Sequence, residues 1–157
     1  MQIMETVGLA LQDTWAHGTC FGCGPANPIG LRIKSYWSED ENAVVATFHP
    51  KPDYNAGAEN VMYGGLIASL IDCHSIWTAI AYASREGGQY VGESPAIWYV
   101  TGELSVRYLK PTPLDQPIFL KAWVEKHEGR KAYVVCELGI EGKITAKANV
   151  IAIRVEG

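Results

Sequence analysis

The stretch Tyr63-Gly64-Gly65-Leu66-Ile67-Ala68-Ser69-Leu70-Ile71-Asp72-Cys73-His74-Ser75-Ile76-Trp77-Thr78-Ala79-Ile80-Ala81-Tyr82-Ala83-Ser84 decides how the rest of the chain is read. At about 100° per residue, Leu66, Leu70, Cys73, Trp77 and Ile80 fall within one narrow arc, the core-facing stripe of an α-helix. Leucine and alanine supply helix propensity through this run, and Gly87-Gly88 stops it. The spacing predicts one long helix over 64–84. On the same wheel Asp72 sits about 240° from Leu66, off the stripe, beside Gly65, Ala68, Ser69, Ala79 and Ala83.

Strands flank this helix on both sides. Before it, Gly30 to Trp37 and Ala43 to His49 alternate apolar and polar residues, and a short amphipathic helix is expected over Val7 to Trp15. After it, Val100 to Tyr108, Ile118 to Val124, Ala132 to Ile140 and Ile144 to Val155 read as strands. They are separated by Pro111, Pro113 and Asp115, by Glu128-Gly129, and by Glu141-Gly142. In the third strand Val100, Leu104 and Val106 share one parity, taken as core-facing, and Thr101 has the other. The later connections are too short for parallel crossovers, so the strands pair antiparallel. The expected class is α+β: a curved antiparallel sheet of about six strands wrapped around one long central helix. The sheet edges need cover, and a second subunit is one solution.

The chain has 157 residues, 48% of them apolar and 19% charged, which suits a single domain with its own core. The expected division is an N-terminal extension, 1–29, carrying the short helix and a Cys-x-x-Cys loop, and a core, 30–157. Thirteen Lys and Arg stand against 17 Asp and Glu, a net charge of −4, which argues against a nucleic-acid-binding surface. No apolar run approaches the roughly 20 residues of a membrane span, and the first 15 residues lack a basic signal-peptide start. A cytoplasmic location is expected.

Four cysteines, Cys20, Cys23, Cys73 and Cys136, are then expected as free thiols. Cys20 and Cys23 form a Cys-x-x-Cys pair with His17 three residues before it. A structural zinc site needs four ligands; no second pair follows, and His49 is the only nearby fourth candidate. The expectation is two ordinary thiols in a Gly/Pro-rich loop and no metal.

Chemistry points back to the opening stretch. Two adjacent glycines begin a helix poorly unless a backbone must approach something closely. The helix N-terminus offers unpaired N–H groups that polarise a carbonyl or hold a developing oxyanion. Close packing against a strand explains Gly64-Gly65 equally well. Asp72 reads either as a solvated helix aspartate or as a carboxylate in a small-residue groove that serves as base or nucleophile. His74 diverges from Asp72 by about 200° and is no partner for it. No Gly-x-Ser-x-Gly elbow, P-loop or dinucleotide fingerprint is present.

Tyr63-Gly64-Gly65, followed by Asp72 nine residues after Tyr63, resembles the His-Gly-Gly helix start and catalytic Asp of hotdog-fold acyl-CoA thioesterases of the PaaI-like group. The run Tyr108-Leu109-Lys110-Pro111-Thr112-Pro113-Leu114 resembles that group's Tyr-x-x-Pro-x-Pro-Leu strand end, and Cys20-x-x-Cys23-Gly24 with Asn27-Pro28 and Gly30-Leu31 is similar to one of its branches. The resemblance implies a hotdog fold and an active site at the interface of a homodimer or a dimer of dimers. It implies an acyl-CoA substrate, with no cofactor beyond that coenzyme A. It assigns catalysis to Asp72, the Gly65 amide and Thr101, the last reaching the aspartate across the subunit interface. Substrate binding falls to Asn60, Tyr63, Gly64 and Ser69, with Arg107, Lys110 or Arg130 near the coenzyme A phosphates. Two departures stand out: Tyr63 replaces the histidine, and Thr101 reaches the pocket only from the sheet edge or through a bulge at Gly102. The alternative is a non-catalytic hotdog protein binding an apolar ligand among Trp15, Trp37, Trp77, Trp98 and Trp123. A hydratase on this fold would need a pocket histidine, which His74 is poorly placed to supply.

Overall fold

The computed structural model describes residues 8–156. A short 3-10 helix, Leu11–Trp15, comes first, shorter than the amphipathic helix expected from Val7, which itself lies outside the described residues. The strands β1 (Ser35–Ser38) and β2 (Ala43–Phe48), the helix α1 (Gly64–Glu86), and the strands β3 (Trp98–Tyr108), β4 (Ile118–Glu128), β5 (Lys131–Ile140) and β6 (Lys143–Val155) follow. The six strands form one antiparallel sheet in the order β1-β2-β4-β5-β6-β3. The sheet curves around α1, which packs against β3, β4, β5 and β6. This is the hotdog fold.

The helix is buried on more than one stripe. Leu66, Leu70, Trp77 and Ile80 are in the core as the period requires, but Ile67, Ile71, His74, Thr78 and Ala81 are buried too. A helix wrapped by a sheet has little solvent face, so its side chains are apolar or small nearly all round. α1 is long and apolar enough by composition to cross a membrane, yet 67% of its most apolar window is buried inside the fold, as befits a core helix. Truncating Leu70 or Ile71, both completely buried, costs about 2–5 kcal/mol.

Three polar side chains tie the helix to its surroundings. The Nε2–H of His74 donates to Val44 O at 3.0 Å, so its Nδ1 accepts the Ser35 hydroxyl at 2.8 Å. Gln12 donates to Ser35 Oγ at 2.9 Å and accepts from the Ser35 N–H at 2.8 Å. A satisfied chain of this kind fixes one packing of the 3-10 helix, β1, β2 and α1.

Two expectations about the strands need correction. The first strand begins at Ser35, not Gly30. The backbone of 31–33 bonds to the cysteine loop instead: Leu31 N–H donates to Phe21 O at 2.8 Å and Ile33 N–H to Gly22 O at 3.2 Å. Val100, read as core-facing, is 44% exposed, while Tyr99 is 1% exposed. The cause is a bulge. Thr101 pairs with Ala152 and Glu103 with Ile151, so Gly102 is an extra residue that shifts the alternation. Tyr99 and Thr101 before it share a face with Leu104 and Val106 after it.

Candidate active site

The bulge places Thr101 over the helix. Its hydroxyl donates to Asp72 Oδ1 at 2.5 Å. A Cβ at position 102 would lie 2.5 Å from the end of the Ile153 side chain, so glycine lets that side chain pack without shifting. The two residues therefore meet within one chain, where the resemblance had Thr101 reaching Asp72 from the partner subunit.

Asp72 and Thr101 line a cavity of about 240 Å³ together with Cys20, Cys23, Cys73, Ile76, Trp77 and Trp98. Trp15, Trp77 and Trp98 also line a neighbouring cavity of about 330 Å³ with Ile80, Val91 and Ile97. The Trp98 ring packs edge-on to Trp15 at 4.7 Å and to Trp77 at 5.8 Å, forming a shared aromatic wall. A carboxylate thus stands at the mouth of an apolar space, the usual make-up of a small-molecule site. Trp37 and Trp123 lie elsewhere, in a polar cleft with Arg85 and Lys121.

Cys73, read as part of the core stripe, is only half-buried and faces the N-terminal loop. Its Sγ lies 3.8 Å from Cys20 Sγ, and the sulfurs of Cys20, Cys23 and Cys73 all lie within 4.8 Å of one another. The Trp77 indole N–H donates to Cys23 Sγ at 3.3 Å. Hydrogen bonding with Cys73 pulls the Cys23 thiol down to about 6; burial opposes this, and the Trp77 N–H assists it. The same bond, with burial, pushes the Cys73 thiol upward. Cys136 sits apart in β5, pushed up to about 12 by burial.

The helix start forms a second locus. Leu66 and Ile67 N–H both donate to Tyr63 O, at 3.0 and 3.2 Å. The N–H groups of Gly64 and Gly65 have no partner among the described residues. Tyr63, the N-cap, is 59% exposed and lays its ring over Gly65, where a Cβ would come within 2.5 Å of it. The Tyr108 hydroxyl donates to Gly64 O at 2.8 Å, and Ser69 Oγ donates to Gly65 O at 2.8 Å. Both carbonyls are thereby held and the first turn is stiffened. Nothing in the sequence pattern singled out Tyr108 for this, since its partner is a backbone carbonyl of another element.

Asn60 belongs to neither locus. Its φ is +56°, and its Oδ1 accepts the Leu114 N–H at 2.8 Å, which pins the Pro113 turn against the loop before α1. Gly65 and Asp72 are seven residues apart on one helix, about 10 Å along its axis. One chain therefore cannot bring both to one carbonyl carbon. His74 is completely buried and its ring nitrogens are occupied.

These features place the chain among known proteins. The thioesterase superfamily model matches residues 59–147, and the chain belongs to that superfamily. A thioesterase superfamily protein from Shewanella loihica is 34% identical, covering 78% of this chain and 90% of that one, with a TM-score of 0.62. The acyl-coenzyme A thioesterase THEM4 of Bos taurus is 25% identical over 130 residues, and that of Xenopus laevis 29% identical over 110. These matches cover 83% and 70% of this chain but 48% and 43% of those proteins, so the chain spans about half the length of the curated relatives it matches. The BH2602 protein of Bacillus halodurans, solved with CoA, shares the fold at a TM-score of 0.61 and 19% identity, covering 81% of this chain and 76% of that one.

Proposed function

We propose that this chain is an acyl-CoA thioesterase whose active site is completed by a second copy of itself. The observation that carries the reading is the Thr101–Asp72 hydrogen bond at the mouth of an apolar cavity. The Thr101 hydroxyl donates to one oxygen of Asp72 and leaves the other free to take a proton from water. That water attacks the thioester carbonyl carbon, the C–S bond breaks, and the proton passes to the leaving thiolate, giving a carboxylic acid and free CoA. A base role suits this geometry better than direct attack. Acylating Asp72 would remove its charge and weaken the charge-assisted bond from Thr101.

The oxyanion needs N–H donors in a water-poor site. Gly65 of a second copy supplies them in this reading, because Gly65 and Asp72 of one copy are too far apart. The sheet edge supports such pairing. β3 is an 11-residue edge strand with Val100 44% and Tyr108 53% exposed, a surface that calls for a partner. Tyr63 and Ser69 flank the same helix start and shape the approach of the thioester. Lys110 lines a groove with Gly64 and Tyr108, which favours it over Arg107 and Arg130 for the coenzyme A phosphates. Coenzyme A enters as part of the substrate. The acyl group lies along the Trp15–Trp77–Trp98 wall.

The relatives named as acyl-coenzyme A thioesterases support this reading. Tyr63, where the resembled group carries histidine, favours a second reading: an acyl-CoA binder without turnover. A panel of aliphatic and aromatic acyl-CoAs, followed by release of CoA, separates the two. Hydrolysis of any member supports the enzyme, and tight binding without release supports the binder.

A further inference from the structure

We propose that Cys20, Cys23 and Cys73 form a binding site for one thiophilic cation, zinc(II) or copper(I), where the N-terminal loop meets α1. This inference is independent of the hydrolytic reading.

The geometry is that of a preformed three-sulfur cradle. A metal holding thiolates at about 2.3 Å in tetrahedral or trigonal geometry sets neighbouring sulfurs about 3.8–4.0 Å apart. Cys20 and Cys73 are at 3.8 Å, and all three sulfurs lie within 4.8 Å. A disulfide needs two sulfurs and would leave the third without a function; here three converge on one point from two elements 50 residues apart.

The loop is built to bring them there. A Cβ at Gly22 would lie 2.4 Å from Cys73 Sγ, so glycine lets the loop settle on that sulfur without turning it away. A Cβ at Gly24 would lie 2.4 Å from Cys20 N, and Gly24 N–H closes the turn onto Cys20 O at 2.8 Å. The pairings of 31–33 with Phe21 and Gly22 hold the loop from its other side. The Trp77 N–H on Cys23 Sγ is an outer-shell donor of the kind that orients a metal-bound thiolate. Soft sulfur ligands select zinc(II) or copper(I) over hard cations. Three thiolates satisfy trigonal copper(I), whereas zinc(II) would take a fourth ligand from the cavity that Asp72 and Thr101 also line. An ion here would clamp the loop, and with it one wall of the cavity, to the residue next to Asp72.

The test is titration of the reduced, chelator-treated full-length protein with zinc(II) and, separately, with copper(I), each against a chromophoric competitor. Cobalt(II) serves as a spectroscopic reporter of sulfur ligation. The expected result is one equivalent of one ion, sulfur-to-cobalt charge-transfer absorption, and loss of affinity in Cys20→Ser and Cys73→Ser exceeding the ~10–100-fold of an outer-shell change. Cys136→Ser should bind as the wild type does. Cys20 is exposed, so Cys20→Ser keeps the test valid if Cys73→Ser fails to fold. No binding by the reduced protein, or binding unchanged in Cys20→Ser, would overturn the proposal.

Discussion

Thr101 on β3 donates its hydroxyl to Asp72 on α1 at 2.5 Å, joining two elements 29 residues apart in sequence. The bond exists because Gly102 is an extra residue in β3 that turns Thr101 toward the helix. If it orients the base, then Thr101→Val, which keeps the shape and removes the donor, lowers kcat by about 10–100-fold, as expected for a bond to a charged group. KM stays near its original value, and Thr101→Ser recovers most of the rate. An unchanged kcat in Thr101→Val would reduce Thr101 to a packing role.

Gly65 carries a different load. A Cβ there meets the Tyr63 ring, which is exposed and free to swing away, so Gly65→Ala folds with stability within about 1 kcal/mol of the original. The displaced ring and the added methyl group crowd the N–H that the proposed mechanism aims at the thioester. A rate loss of about 100-fold is expected from misplacement on this scale. Thermal melting and steady-state kinetics on the same preparation check both halves; full activity would remove Gly65 from the site.

In the proposed mechanism the separation of Gly65 and Asp72 makes activity depend on association. Light scattering at micromolar concentration should give a dimer or a dimer of dimers. Ser105→Glu with Arg107→Glu adds charge at exposed positions of β3 without touching the core. The pair should shift the protein to monomer and abolish hydrolysis while circular dichroism stays the same. An active monomer would show that one chain holds a complete site.

His74 sets a pH limit on stability. Burial pushes its pKa down to about 4, with the bond to Val44 opposing. The unfolded imidazole titrates near 6.5, so between pH 6.5 and about 4 the unfolded chain binds the extra proton. This contribution is therefore complete above pH 6.5 and shrinks as pH falls through that window, by about 3 kcal/mol in all. Denaturant melts across the window should show the slope. Nitrogen NMR should find His74 neutral at pH 5.5 with its proton on Nε2; a charged ring there would contradict the assignment.

The helix was legible because its pattern is local. Leu66, Leu70, Cys73, Trp77 and Ile80 repeat every three or four residues, and all but Cys73 are fully in the core. The order of strands was equally readable, since alternation and Gly or Pro breaks are local signals too. What escaped depended on distant partners. The alternation of Leu31 and Ile33 extends the expected first strand too far, because their backbone bonds go to Phe21 and Gly22. Parity puts Val100 inside because a bulge is one residue of count, invisible without the partner strand. The helical period puts Cys73 on the core stripe, and only the folded chain sets Cys20 and Cys23 beside it. The helical wheel and the family resemblance single out Asp72; its bond to Thr101 depends on the register of β3.

In the proposed mechanism Asp72 is the base of a thioester hydrolysis. The direct measurement is CoA release from the best substrate of an acyl-CoA panel, comparing the wild type with Asp72→Ala and Asp72→Asn at equal protein concentration. Removing a positioned base should lower kcat by about 10²–10⁴-fold in both variants, with the dimer and acyl-CoA binding retained. Wild-type rates in either variant would contradict the account.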